Sequence, residues 1–386
     1  NLILQMNEAV YGGGLYIPPG STRVIMNNTV VDSNIADISG GGVYNNASWV
    51  FRVYDSVFRE NDALMKDGGG VYIETSSAIG VSDQQQRVVL SNLTFERNTA
   101  TAGAGGALYR SGNGSSIGVH DSLVSQNKAK TGGGFYLVNG SSSLTNTNFT
   151  SNYATTTGGA VVLSGSEMMS SSWCLLDSND ATLSGGGVYI ASGSTLEGRN
   201  TLYSDNIARF DCSSGGNGGG GAMYMEDETV VSSSMDRYWN NRASQGNGGG
   251  LYVSGESAWS CSSCVLQNNT AYYHGGGIYT ASWKVDLVDG SVIRDNIAQT
   301  GDGGGFYSAS QKNMSISGIT FDSNHAMEQR GGGVALEYPV DVMMNNLILQ
   351  MNEAVYGGGL YIPPGSTRVI MNNTVVDSNI ADISGG

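Results

Sequence analysis

Apolar residues in this chain recur in short alternating runs. Arg23-Val24-Ile25-Met26, Val71-Tyr72-Ile73, Arg87-Val88-Val89-Leu90 and Val285-Asp286-Leu287-Val288 are brief, rich in β-branched and aromatic residues, and bounded by Gly, Ser, Asn and Asp. Such runs predict β-strands, and no long stretch keeps the roughly 3.6-residue apolar period of a helix. A polar landmark phases the runs. Asn7, Asn34, Asn61, Asn98, Asn127, Asn152, Asn179, Asn206, Asn241, Asn269, Asn296, Asn324, Asn352 and Asn379 each have Ala two residues later and a bulky apolar residue three residues earlier. A glycine cluster follows each Asn, then an apolar residue and usually Tyr. From the first glycine to the next Asn is 20 to 22 residues in every case but one, so the repeat is about 27 residues.

Three short strands and three turns fit in that length, which is one coil of a parallel β-helix. The expected fold is all-β, with about 14 coils in the 386 residues. Equivalent residues then stack at the interstrand spacing of about 4.8 Å. A recurring Asn becomes a column of amides in which each donates to one neighbour and accepts from the other. An Asn at a turn also tolerates left-handed backbone. The following Ala suits a tight inward corner, and the apolar residue three before the Asn, such as Phe58, Phe95 or Phe321, fills the core. The glycines are expected to supply a sharp turn and a surface without side chains.

After the glycines and one apolar residue come Tyr16, Tyr44, Tyr72, Tyr109, Tyr136, Tyr189, Tyr224, Tyr252, Tyr279, Tyr307 and Tyr361, with Val162 and Ala335 as exceptions. Strand alternation places each Tyr opposite its always apolar neighbour, hence on the outside. An outward Tyr stripe either stiffens one sheet by cross-strand packing or forms an aromatic contact surface for glycan or a second filament. Two insertions break the metric, around Glu74 to Gln86 and in Arg209 to Gly219, and inserted loops of a solenoid are candidate contact sites.

Composition narrows the function. A formal charge of −15 argues against nucleic acid or an anionic membrane as partner. No apolar run approaches the roughly 20 residues of a membrane helix. N-glycosylation sequons stand at Asn27, Asn46, Asn92, Asn113, Asn139, Asn148, Asn268, Asn313 and Asn372, whereas the Ala after each column Asn excludes that column. His120, His274 and His325 lie in different coils, no nucleophile motif accompanies them, and no cofactor or metal site is legible. Cys174 and Cys264 sit five residues before a column Asn, where Thr29, Ser56, Ser122, Thr201 and Ser291 stand elsewhere, and read as buried small side chains. Cys212 lies in the second insertion. Cys261 and Cys264 have CxxC spacing, and the four cysteines allow three pairings among which spacing does not choose.

Residues 1 to 41 recur letter for letter as residues 346 to 386. The chain reads as a window cut from a longer polymer: a single continuous β-helix over 1–386, with 1–345 one twelve-coil block and 346–386 the start of an identical one. The motifs Phe58-Arg59-Glu60-Asn61, Phe95-Glu96-Arg97-Asn98, Phe149-Thr150-Ser151-Asn152 and Phe321-Asp322-Ser323-Asn324, with Gly105-Gly106-Ala107-Leu108, Gly158-Gly159-Ala160-Val161 and Gly220-Gly221-Ala222-Met223, resemble the FxxN and GGA(I/L/V) repeats of chlamydial polymorphic outer-membrane proteins. That resemblance implies a right-handed parallel β-helix with adhesive or surface-structural roles. It departs in that most motifs read GGG, then an apolar residue and Tyr, and in that these 386 residues include no membrane-anchoring barrel. The expected function is a non-catalytic structural subunit of an extracellular filament whose partner is itself, head to tail or side by side. The alternatives are a surface adhesin binding glycan or protein through the Tyr stripe or the insertions, and, as a minor one, a polysaccharide-active β-helix enzyme.

Overall fold

A computed structural model of the chain describes residues 2–46, 50–75, 88–209, 218–288 and 290–386. The fold is an all-β, right-handed parallel solenoid of about 13 turns of about 27 residues, without helices among the described residues. Backbone contacts divide it into two compact units, Asn1–Ala181 with Gly193–Leu196, and Thr182–Ser192 with Glu197–Gly386.

In the first unit, strands Val43–Asn46, Val50–Arg59 and Asp62–Ala63 show how a turn is made. Phe51, Val53, Ser56 and Phe58 point inward, and Arg52, Tyr54 and Val57 lie between them toward the surface. The interval of three between Val53 and Ser56 arises at Asp55, whose φ of 48° turns the corner and resets the alternation. The next turn stacks in register, Val88 on Phe51, Phe95 on Phe58 and Ala100 on Ala63. Stacking like on like fills the core: Val43, Phe51, Val53, Phe58, Phe95 and Val124 are fully buried, and the rings of Phe58 and Phe95 lie 5.0 Å apart.

Each turn has three left-handed corners. The first belongs to the leading glycine of a cluster, for example Gly68 at φ 71°. The middle glycine is required for a different reason, because a Cβ on Gly69 would stand 2.3 Å from the Thr99 carbonyl oxygen. The glycines are therefore buried against the next turn, not the side-chain-free surface expected of them. The second corner lies six residues before the column Asn, at Asn28, Asp55, Asn92, Asp121, Asn146 and Trp173 in this unit. The third is the residue immediately before the Asn, with φ between 52° and 57° at every one of the fourteen places. This corrects the expectation that the Asn itself takes the left-handed backbone. Its role is to hold the corner made by its neighbour.

One polar pair replaces apolar core in this unit. Arg110 and Glu167, both fully buried, form an ion pair. Arg110 also donates to the Val138 carbonyl and the Ser142 hydroxyl, and Glu167 accepts the Gly140 N–H. Burial pulls the guanidinium below its ordinary pKa, with Glu167 opposing the shift.

The second unit repeats the plan, with parallel ladders such as Met223–Met225 on Leu251–Val253 on Ile278–Thr280 on Phe306–Ser308. Tyr203 and Tyr238 occupy the core place held elsewhere by Phe, their rings 4.8 Å apart. Cys261 and Cys264 form a disulfide across the second corner, at Ser263. Cys264 thus fills the small-residue place expected of it, as half of a cystine. Asp236 occupies the same place in its turn, fully buried, and its Oδ1 accepts the Thr201 N–H at 2.8 Å. Loss of water pushes this carboxyl up to about 7, and the bonds from Thr201 and Ser233 only partly counter it.

Candidate functional surfaces

The Asn residues form one column in each unit. From Asn7 to Asn179, and again from Asn206 to Asn379, each Nδ2 donates to the Oδ1 of the next Asn at 2.8 to 3.0 Å. The same Oδ1 accepts the backbone N–H of the preceding Asn, as from Asn98 to Asn127 at 2.9 Å. The second proton of Nδ2 goes to the carbonyl three residues before the previous Asn, as from Asn127 to Phe95 at 3.0 Å. Two donors and two acceptor positions are thus used in each interior amide, which is how side chains with no exposed surface are accommodated. Asn7 is exposed and Asn379 half-buried.

The Tyr stripe is external to the strands but largely covered by itself. Tyr16, Tyr44, Tyr72, Tyr109 and Tyr136 stack with centroids 4.6 to 5.5 Å apart. Tyr189, Tyr224, Tyr252, Tyr279 and Tyr307 do the same at 4.6 to 5.4 Å. Tyr361 instead packs against the Arg330 guanidinium at 5.0 Å. Of the stripe only Tyr16 is exposed, at 45%, the others being half-buried or buried. Ring faces are spent on neighbouring rings, so edges and hydroxyls remain for solvent. Three hydroxyls donate to carboxylates of the following turn, Tyr44 to Glu74, Tyr189 to Glu226 and Tyr307 to Glu337. Burial raises Tyr44, Tyr109 and Tyr224 to about 12, with nearby carboxylates adding to it.

The other candidates are scattered. Asn27, Asn92, Asn268, Asn313 and Asn372 are exposed, and Asn46, Asn139 and Asn148 are half-buried. The Asn113 side chain, most of both insertions and Cys212 lie outside the described residues. Cys174 is buried, its Sγ toward the Ser172 carbonyl. His274 stacks on Tyr307 at 4.4 Å, and its Nδ1 accepts the Asp302 N–H at 3.0 Å. Among the described residues no three His, Cys, Asp or Glu side chains converge as metal ligands would.

Features missed from sequence share one property, that their partners lie a turn or more apart. A second, external series of amides and carboxylates runs along the corner six residues before the column, with Asn92 donating to Asp55 and Asn146 to Asp121, each at 2.7 Å. The Tyr–Glu bonds and the Arg110–Glu167 pair join residues 30, 37 and 57 positions apart. Glu two residues after the stripe position, at Glu74, Glu226 and Glu337, is the one sequence signal from which the Tyr–Glu bonds could have been read.

Known proteins bear on the fold directly. The family model described as "Right handed beta helix region" matches residues 5–154 and 230–385. The chain belongs to the right-handed β-helix family. Within that family, a stretch of this β-helix is 38% identical over 136 residues to "Probable outer membrane protein pmp6" of Chlamydia pneumoniae, covering 29% of this chain and 11% of the relative. The match therefore spans about a tenth of that relative's length. No solved structure matches this β-helix.

Proposed function

We propose that this chain is the shaft of a surface-exposed, non-catalytic structural protein built from tandem β-helix blocks. One observation carries the reading: residues 1–41 return as 346–386, twelve column steps from Asn7 to Asn352, so the copy re-enters in phase with the stack. A block that begins and repeats at the same point of a turn continues without a seam. Twelve turns at about 4.8 Å give a block of about 58 Å. Self-complementary Asn columns and in-register strands support stiffness along the chain, and a long or stacked shaft hides the open sheet edges that otherwise invite pairing. The outer-membrane name of the chlamydial relative supports a cell-surface setting and gives the second reading, an adhesin whose shaft presents glycan- or protein-binding features. Imaging of native material separates the two. Continuous fibres with a period near 58 Å or a multiple of it are expected, and isolated rods with a distinct head would sink the filament reading in favour of the adhesin.

A further inference from the structure

The tyrosine run of the second unit has ends unlike its middle. Tyr189, Tyr224, Tyr252, Tyr279 and Tyr307 stack in four steps of 5.3, 4.6, 4.7 and 5.4 Å, and no ring is tilted from its neighbour by more than 19°. At the interstrand spacing of about 4.8 Å the four steps cover about 19 Å. Tyr252 and Tyr307 are buried and the other three half-buried, so water is kept from the stacked faces. The hydroxyls at the two ends each donate to a carboxylate of the following turn, Tyr189 to Glu226 and Tyr307 to Glu337. In the middle, Tyr279 bonds Tyr252 instead. Glu226 is fixed by a second bond, accepting the Ser192 N–H at 3.0 Å. The run stops at Tyr307, whose ladder partner in the next turn is Ala335.

We infer that this run carries an oxidising equivalent between its two ends, with Glu337 and Glu226 as the proton acceptors. Rings stacked at these separations are in π contact, which lets an electron cross from one to the next. A phenol that loses an electron becomes a strong acid, so a neutral tyrosyl forms where a base already stands within hydrogen-bond reach of the proton. Tyr307 and Tyr189 meet that demand. When Tyr307 gives one electron to an oxidant of the metal-polypyridyl or peroxidase class, its proton moves along the existing bond to Glu337, leaving a tyrosyl and a carboxylic acid. One electron then passes from Tyr189 through Tyr224, Tyr252 and Tyr279 to Tyr307. Tyr189 releases its proton to Glu226, and Glu337 returns its proton to Tyr307. No bond between heavy atoms forms or breaks. Reactants and products are the same pair of species with the ends exchanged, so the transfer is close to thermoneutral. Cross-strand packing alone requires the rings and not a carboxylate at each end.

Flash oxidation from one end tests this. Tyr338, next to Glu337 and 52% exposed, gives the place for the oxidant: the full chain with Cys212→Ser and Tyr338→Cys is labelled on the introduced thiol with a ruthenium polypyridyl. A nitroso spin trap and peptide mass spectrometry then locate the tyrosyl. Adducts are expected at Tyr307 and at Tyr189. Tyr252→Val, which sets at this stripe position the residue native at Val162, should lower the Tyr189 adduct tenfold or more and leave that of Tyr307. Glu226→Gln keeps every ring and should lower the Tyr189 adduct likewise, a change that a purely structural stack would not register. It decides the matter if circular dichroism shows that Tyr252→Val fails to fold. The inference is overturned if Tyr307 is not oxidised, if the parent carries no adduct at Tyr189, or if the Tyr189 adduct is unchanged in Glu226→Gln or in folded Tyr252→Val. None of these outcomes touches the fibre period, so the filament reading is judged separately.

Discussion

A column Asn satisfies four hydrogen-bonding demands with one side chain, and its loss should be felt on both sides. Asn127→Leu removes the acceptor for the Asn98 N–H and Nδ2 and the donor to Phe95 and Asn152. Each buried group left without a partner costs about 1–3 kcal/mol, so a loss of at least about 3 kcal/mol is expected in equilibrium unfolding. Ser125→Ala, two residues away and only half-buried, should change stability by less than about 0.5 kcal/mol. Asp236 sets a different residue-scale dependence. Its folded pKa of about 7 stands above the ordinary 3.8, so the fold holds the protonated form. Stability from this site is complete below the ordinary value and is lost as pH rises from about 4 through about 7, by roughly 4 kcal/mol. Asp236→Asn should flatten that slope in melting curves recorded across the range; a slope unchanged by the substitution would assign it elsewhere.

At the scale of elements, the stacked Tyr run makes a prediction in alkali. Tyr44, Tyr109 and Tyr224, raised from 10.0 to about 12, stay neutral in the fold while the unfolded chain ionises. Stability is therefore full below pH 10 and falls as pH climbs toward 12. Tyrosinate absorbance should rise in one cooperative step with the loss of β-sheet circular dichroism, not as a smooth titration of twenty independent phenols. The buried Arg110–Glu167 pair gives a second test. Arg110→Met strands a buried carboxylate and should cost about 3–5 kcal/mol, whereas Arg110→Met with Glu167→Leu should recover most of that. These elements also show what was legible in sequence. Strands, core Phe positions, the Asn and the small Ala were readable because one residue type serves one place in every turn. The second corner was not, because the demand there is a backbone angle, and Asn28, Trp173, Met235 and Ser263 all meet it. Arg110 and Glu167 were hidden because their pairing skips a turn that neither residue marks.

For the whole molecule the unit of tolerance is the turn. Asn269 and Asn296 are 27 residues apart and bonded through their amides. Excising residues 270–296 joins one corner to its equivalent and should leave a cooperatively melting β-sheet protein, shifted by only a few degrees in a fold with nearest-neighbour energetics. Removing 270–283 instead cuts mid-turn, misplaces every inward residue downstream, and should abolish the transition in circular dichroism.

The amide columns also carry a direction. Every Nδ2 points toward the Asn later in the chain and every Oδ1 toward the one before it, so each column is an arrow and not a rope. Placed tail to tip, two such arrows set donor against acceptor; placed tip to tip, they set donor against donor. A stack that grows by adding turns therefore keeps one sense along its length, each new amide accepting from the turn before it and donating to the turn after it.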